Sequence, residues 1–423
     1  MIASSSSSFS SDGDGNNSNG FIEYRPRGYY EIKNHPLSGI TFVQWAKLLR
    51  TYWRFVDFRK YFPRIIFLTM MSMFNQICFI IETIIYGRKI AKTKVQDDPV
   101  IIVGHPRTGT THLHNLLTLD EERFYTCTTF DVGFPSSFLI FPKRMRELLK
   151  MIMDDRRPMD NMYLAHDTPQ EDEVATNQLC SCLASPYAPL IFPNLEESFR
   201  PFYSLDSSVD AKYPCSLKKL ALWRDSFWYF VKKITFANNR GTYSRRRRRL
   251  VLKSPVHMAR LKLLSQMFPR AQFLVCHRNP YETFQSAANM ADKYYWNCFL
   301  HEPTKREKIE EFIFRQGEIL TESYEKEIRK IDAERVIEVP FAKLDSNPLD
   351  VLEKIYESFG FLDDGESKYK GSAAELKARE YIESSSLKDF KKNSFEKISN
   401  RTKKEIEHRW TAWFRVFDYR IMN

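Results

Sequence analysis

Two short stretches of this 423-residue sequence combine residue types and spacings that suit phosphate chemistry. The first is Gly104-His105-Pro106-Arg107-Thr108-Gly109-Thr110-Thr111, spaced GxxxxG and followed by two threonines. That is the outline of a loop in which backbone N–H groups and a helix N-terminus face an anion. An NTPase loop would place Lys after the second Gly to reach the β- and γ-phosphates. Here the position is Thr110, the fixed cation has moved to Arg107, and no strand-end Asp of the Walker B kind follows to hold Mg²⁺. The second stretch is His277-Arg278-Asn279-Pro280, with Ser286 eight residues after Arg278. A strand-end Arg grips a phosphate with its planar fork. A Ser two turns into the following helix, ~9 Å along the axis from Pro280, donates to the same group if the nucleotide lies along that helix. The loop is fairly specific by itself, whereas the Arg and Ser alone suit a surface Arg and a locally packed helix Ser equally well; beside the loop, that bland reading recedes.

The elements that would position these residues are legible around them. Val100-Ile101-Ile102-Val103 suits a strand buried on both faces, and Leu113, Leu116 and Leu117 recur at helical spacing after the loop. Leu250 to Leu252 leads into Ser254-Pro255, Gln272 to Cys276 into Asn279-Pro280, and Arg335 to Val339 precedes Asn347-Pro348, three strands each followed by a helix-cap signal. Strands alternating with helices imply an α/β fold with a central parallel sheet flanked by helices, and ligands in such sheets bind beyond the C-terminal strand ends. Residues 21–97 carry aromatic and aliphatic residues at helical spacing and read as an N-terminal helical extension, 1–20 as a disordered tail, and 98–423 as the catalytic domain.

Composition narrows the partners less than the motifs do. Hydrophobic residues make up 43% and charged residues 28%, enough apolar surface for a large core, so global disorder is excluded. The net charge of +11 suits an anionic ligand, nucleic acid or an anionic membrane without choosing among them. Five consecutive arginines, Arg245 to Arg249, supply much of it and read as a solvated loop; no fold signature of a nucleic-acid reader surrounds them, and no nucleic-acid partner is expected. Seven scattered cysteines with no paired CxxC motifs read as reduced structural thiols. The N-terminus lacks the pattern of a secretory signal, so a cytoplasmic location is expected. Residues 65–86 are apolar for a bilayer's length, yet Asn75, Gln76 and Glu82 are costly in lipid. The preferred reading is a buried or dimer-forming helix, with a helix that spans or lies on a membrane as the alternative.

The two motifs together resemble the 5′-phosphosulfate and 3′-phosphate elements of the sulfotransferases that use 3′-phosphoadenosine-5′-phosphosulfate (PAPS), with product PAP. The resemblance is to the small-molecule branch carrying GHPRTGTTHLH, PQEDE and LKSP segments, and covers roughly Pro99 to Gly360. It implies a P-loop-like three-layer fold and a metal-independent enzyme moving a sulfonate in line to a hydroxyl of a small-molecule acceptor, a lipophilic alcohol, sterol-like or phenolic, rather than a sugar. Arg107, Thr108, Gly109, Thr110 and Thr111 would hold the 5′-phosphosulfate, and Arg278 with Ser286 the 3′-phosphate. The sequence departs from many cytosolic members at Phe341, where they carry Tyr, and lacks their C-terminal Arg-Lys-Gly loop. The competing readings are a P-loop nucleotide kinase or NTPase, and a membrane-peripheral nucleotide-binding protein without turnover.

Sulfuryl transfer to an alcohol needs a base for the hydroxyl proton and cations at the bridging oxygen. Asp131, in a Thr-Phe-Asp that resembles the Thr-Trp-Glu of relatives at the end of a strand Phe124 to Thr129, is the favoured base. Glu171, in the acidic run Asp167 to Glu173, is second and His166 third. Lys253, at the end of its strand, faces the same edge and suits donor or acceptor binding.

Overall fold

The computed structural model describes residues 25–33, 35–142, 145–146, 156–157, 159, 162–240, 247–362, 368–384 and 398–421. The tail expected at 1–20 and the first two arginines of the run, Arg245 and Arg246, lie outside these.

Five parallel strands form one sheet: β1 (Val100–Gly104), β2 (Phe124–Tyr125), β3 (Arg249–Lys253), β4 (Gln272–His277) and β5 (Val336–Pro340), in the spatial order β2-β3-β1-β4-β5. β1 is central, with Val100 level with Val251 on one side and Gln272 on the other. Side chains alternate between the faces with the period of two that a pleat imposes. Ile101, Val103, Leu252, Phe273 and Val275 enter one core, and Val100, Ile102, Val251, Leu274 and Cys276 the other. This two-sided burial is why the β1 sequence is continuously apolar rather than alternating. After β3 the chain passes over to the far side of β1 to make β4, so the order reverses beside β1, where α/β sheets open a crevice at their C-terminal edge.

The cap signals hold in detail at one helix. Asn279 accepts from the backbone N–H groups of Tyr281 and Glu282 and starts the helix Pro280–Tyr294. β2 is shorter than the strand expected from Phe124 to Thr129. It stops at Tyr125, because Thr128 and Asp131 close a capping box that begins a short helix at Thr129.

Ahead of the sheet lie α1 (Phe42–Tyr52) and α2 (Phe62–Lys92). α2 is neither wholly buried nor free. One face packs on the body of the protein, including helix Leu217–Asn239, and the other is exposed. All seven cysteines are buried free thiols. At the other end of the chain, helices Asn400–Arg409 and Thr411–Val416 fold back so that Trp410 and Trp413 pack within 5.4 Å and 5.0 Å of the His105 ring, bracing the loop after β1 from outside the sheet.

Candidate active site

The loop after β1 turns through three residues of positive φ: Gly104 (150°), Arg107 (77°) and Gly109 (92°). At Gly109 a Cβ would lie 2.5 Å from Cδ2 of Phe341, so the position requires glycine for space as well as for φ. Left-handed φ at an arginine is strained by about 1–3 kcal/mol. Its result here is that Arg107 Nε donates to Ser286 Oγ at 3.0 Å, joining two motifs 179 residues apart. Thr108 Oγ1 donates to the His105 carbonyl (2.8 Å) and fixes the turn, and the helix that Thr110 and Thr111 begin, α3 (Thr110–Thr118), points its N-terminus at the same space. Arg278 leaves β4 at the same edge, pairs with Glu282 (2.9 Å) and stacks over Phe341 (4.4 Å to the ring centre). Its carbonyl accepts from Trp413 Nε1 (3.2 Å).

Beside the loop, buried Lys253 at the end of β3 donates from Nζ to Thr111 Oγ1 (3.3 Å) and to Glu171 Oε1 (3.0 Å). Glu171 also accepts from the Tyr187 hydroxyl, which in turn meets Ser254 Oγ at 3.2 Å. Burial opposes charge on Glu171, but Lys253 and the Tyr187 hydroxyl more than offset it and hold the carboxyl below its ordinary range. Burial lowers the Lys253 ammonium against the upward pull of Glu171. Arg157 Nη1 reaches Thr111 Oγ1 as well, at 3.4 Å.

A second polar layer supports this one. Asp172 accepts from the Lys253 backbone N–H (3.0 Å) and pairs with His257 Nε2 (2.7 Å), while Glu173 binds Arg260 (2.7 Å) and the Trp223 indole. Asp172, Glu173 and His257 stand close enough to share a cation, yet each carboxylate is already bonded to protein donors. The layer holds β3 and the chain around Glu171 in register.

Asp131 and His166 stand elsewhere. Asp131 Oδ2 accepts from the Thr128 backbone N–H (3.0 Å) within the capping box, with Arg146 3.9 Å away, and burial raises its carboxyl. The His166 carbonyl accepts from Phe130 N–H (2.8 Å). Neither residue lines the cavity that opens next to the loop. That cavity, about 250 Å³, is walled by Pro106 of the loop, by Glu171, Tyr187 and Arg157, and by an apolar majority that includes Phe130, Phe134, Val174, Leu190 and Phe312. The sequence reading named Lys253 and Glu171 separately but did not see them joined. Tyr187, one of 21 tyrosines, carried no signal of its own.

A GxxxxG loop without the NTPase lysine, bonded to a helix Ser at the same sheet edge as a strand-end Arg, sets this parallel α/β fold apart from the Walker NTPases. The chain belongs to the sulfotransferase family, whose model matches residues 99–364, and it is a sulfotransferase. It is 29% identical over 325 residues to the omega-hydroxy-beta-dihydromenaquinone-9 sulfotransferase Stf3 of Mycobacterium bovis and to that of Mycobacterium tuberculosis, covering 77% of this chain and 78% of each relative. Among solved structures, its fold is similar to sulfotransferase STF9 from Mycobacterium avium (TM-score 0.57, 16% identity, 82% of this chain and 83% of that one). It is also similar to STF1 from Mycobacterium tuberculosis H37Rv (TM-score 0.55, 16% identity, 87% and 91%). The expected P-loop-like fold is therefore the fold observed.

Proposed function

We propose that the enzyme transfers the sulfonate of PAPS to the hydroxyl of a lipophilic small-molecule alcohol by in-line displacement. The carrying observation is the continuous hydrogen-bonded path Thr111–Lys253–Glu171, which runs from the phosphate loop to the wall of the apolar cavity. On this reading the 5′-phosphosulfate lies against the backbone N–H groups of Thr108 to Thr111 and Arg107, and Arg278 with Ser286 takes the 3′-phosphate. The acceptor occupies the cavity, where apolar walls outnumber polar groups.

Glu171 is proposed as the base, with Asp131 as a capping carboxylate and His166 outside the reaction. As the acceptor oxygen bonds to sulfur, the bond from sulfur to the bridging phosphate oxygen breaks, the hydroxyl proton passes to Glu171 and PAP leaves with the electron pair. Lys253, one hydrogen bond from both Glu171 and the loop, is positioned to neutralise charge growing on that bridging oxygen. Tyr187 holds the second Glu171 oxygen and keeps the carboxylate turned to the cavity. A relative named for an omega-hydroxylated dihydromenaquinone supports a lipophilic rather than a sugar acceptor.

The test is transfer of labelled sulfonate from PAPS to a panel of long-chain alcohols, sterols, phenols and sugars, with melting followed in the presence of PAP. The expected result is a labelled sulfate ester on lipophilic alcohols and a melting temperature raised by PAP. Stabilisation by ATP with Mg²⁺ and not by PAP would overturn the reading.

A further inference from the structure

Helix α2 is apolar on its outward face as well as on the face it packs, and a few buried polar side chains sit among the residues that face inward. Three of those polar side chains are held by specific partners. Arg64 donates to the carbonyls of Glu31 (2.9 Å), Gly28 and Phe299. Asn75 Nδ2 donates to those of Ser38 (2.8 Å) and Ile40 (3.2 Å). Buried Glu82 pairs with Lys233 and accepts from Leu139 N–H (2.8 Å). Its outward face is a stripe of large apolar side chains at helical spacing, among them Phe62, Ile66, Met70, Ile77, Ile80 and Ile84, with Met70 65% and Ile84 79% exposed. At 1.5 Å per residue the 31-residue helix is about 46 Å long. Phe42 and Val43 of α1 and Trp53, Phe55 and Phe58 of the connection extend the exposed apolar surface.

We propose that this face seats the enzyme on an anionic lipid bilayer, with α2 lying in the interface rather than crossing it. Crossing would strip Arg64, Asn75 and Glu82 from their partners and leave them in hydrocarbon. Charge selects the occupant. Residues 42–95 contain ten basic side chains and two acids. Of the acids, Glu82 is buried and Asp57 is only half-exposed, accepting from Glu302 N–H (2.9 Å). The exposed cations lie toward both ends of the stripe, Lys47, Arg50, Arg54 and Arg59 at one and Arg88, Lys89 and Lys92 at the other. A second copy related by a two-fold axis would press like charges together at either end, whereas anionic headgroups neutralise them.

The face also leads to the cavity. The Phe74 ring meets that of Phe141 (6.3 Å between centres), and Phe141 meets Phe130 (5.7 Å) and Phe134 (6.0 Å), both of which line the cavity. Asn75 holds Ser38, another wall residue. On the function proposed above, one aromatic cluster separates the lipid-facing stripe from the acceptor cavity, which sets a bilayer-dissolved acceptor close to Glu171.

The experiment is co-sedimentation of the full chain with vesicles of phosphatidylcholine alone or with about one-third phosphatidylserine, at low and high salt, beside the triple variant Ile77→Gln, Ile80→Gln, Ile84→Gln. All three positions are exposed, so the variant should keep its melting temperature and its PAP binding. The expected result is partition onto phosphatidylserine vesicles that salt weakens and that the triple variant loses by about tenfold or more. Wild-type protein that stays in the supernatant, or a triple variant that binds as wild type does, would overturn the proposal. So would sedimentation velocity showing a wild-type dimer that the triple variant dissolves, since a second copy would then be the occupant. Vesicle binding is read without turnover, so failure of the acceptor panel counts against the proposed function alone.

Discussion

At Glu171 two opposing influences meet within one carboxyl group: burial disfavours its charge, and the Lys253 ammonium with the Tyr187 hydroxyl restores it. In the proposed role of base, Glu171 must be ionised before it can take a proton, and this arrangement favours the ionised form. Glu171→Gln keeps the shape and removes the proton acceptor. Turnover should fall by about 100- to 10,000-fold while PAP binding, read by calorimetry, stays within about threefold of wild type. Asp131→Asn should do the reverse, costing about 1–2 kcal/mol of stability through the capping box with kcat/KM little changed. The opposite pattern would move the base to Asp131. Lys253→Met adds a readout that a packing defect would not produce. With the ammonium gone, burial acts on Glu171 with less opposition, so its pKa rises and the acid limb of the kcat/KM profile moves to higher pH. An acid limb unmoved by Lys253→Met would separate the two residues functionally.

The same loop is held in place by elements remote in sequence, and here a glycine controls the fit. Gly317, inside the helix Arg306–Ile328, lies so close to the Trp410 indole that any Cβ would overlap the ring, and Trp410 in turn packs on His105 and donates from Nε1 to the Phe314 carbonyl (2.9 Å). Gly317→Ala should therefore destabilise the enzyme by about 1–3 kcal/mol by overpacking, and should weaken PAP binding in calorimetry although Gly317 is not part of the loop. A variant that loses stability and keeps full PAP affinity would sever this route. None of this bracing was legible in the sequence, because a Gly and two Trp nearly a hundred residues apart carry no local pattern. What was legible had local causes. β1 showed itself because a strand buried on both faces must be continuously apolar, and the helix after β4 because Asn279-Pro280 caps it by chemistry within three residues. β2 was read too long because Thr128 resembles a strand residue until Asp131 closes the box behind it. Arg107 and Ser286 were each named, but the bond between them follows from the β1–β4 pairing. The outward apolar stripe of α2 was not legible, because composition reports how many polar residues a helix has, not which way they face.

At the scale of the whole molecule, the enzyme has buried neutral histidines around its sheet, and this sets its response to acid. His105 is pushed down to about 3 and His277 to about 4, both by burial. His114 lies well below its ordinary value through burial and the nearby Lys253, and His35 through burial and Arg64, against a partial upward effect of the Cys298 carbonyl. In the folded chain these rings stay neutral, whereas in the unfolded chain each takes a proton near the ordinary value of about 6.5. The unfolded state therefore binds more protons as pH falls, and stability present above about pH 6.5 is lost below it, at up to about 1.4 kcal/mol per pH unit for each histidine until its folded-state pKa is reached. A protein whose acid sensitivity came from paired carboxylates alone would hold its stability until about pH 5. Urea midpoints measured from about pH 7.5 to about pH 5.5 should fall steeply through this window, and His114→Gln should shallow the slope by close to one proton's worth. A midpoint flat across the window would mean that the rings are charged in the folded enzyme. The prediction matters for the candidate site as well as for the fold, because His105 lies inside the loop after β1 and His277 beside Arg278. Trp410 and Trp413 against His105, and Phe417 against His277, keep water from both rings and so oppose their charge. PAP, by binding the folded form alone, should therefore shift the acid transition to lower pH.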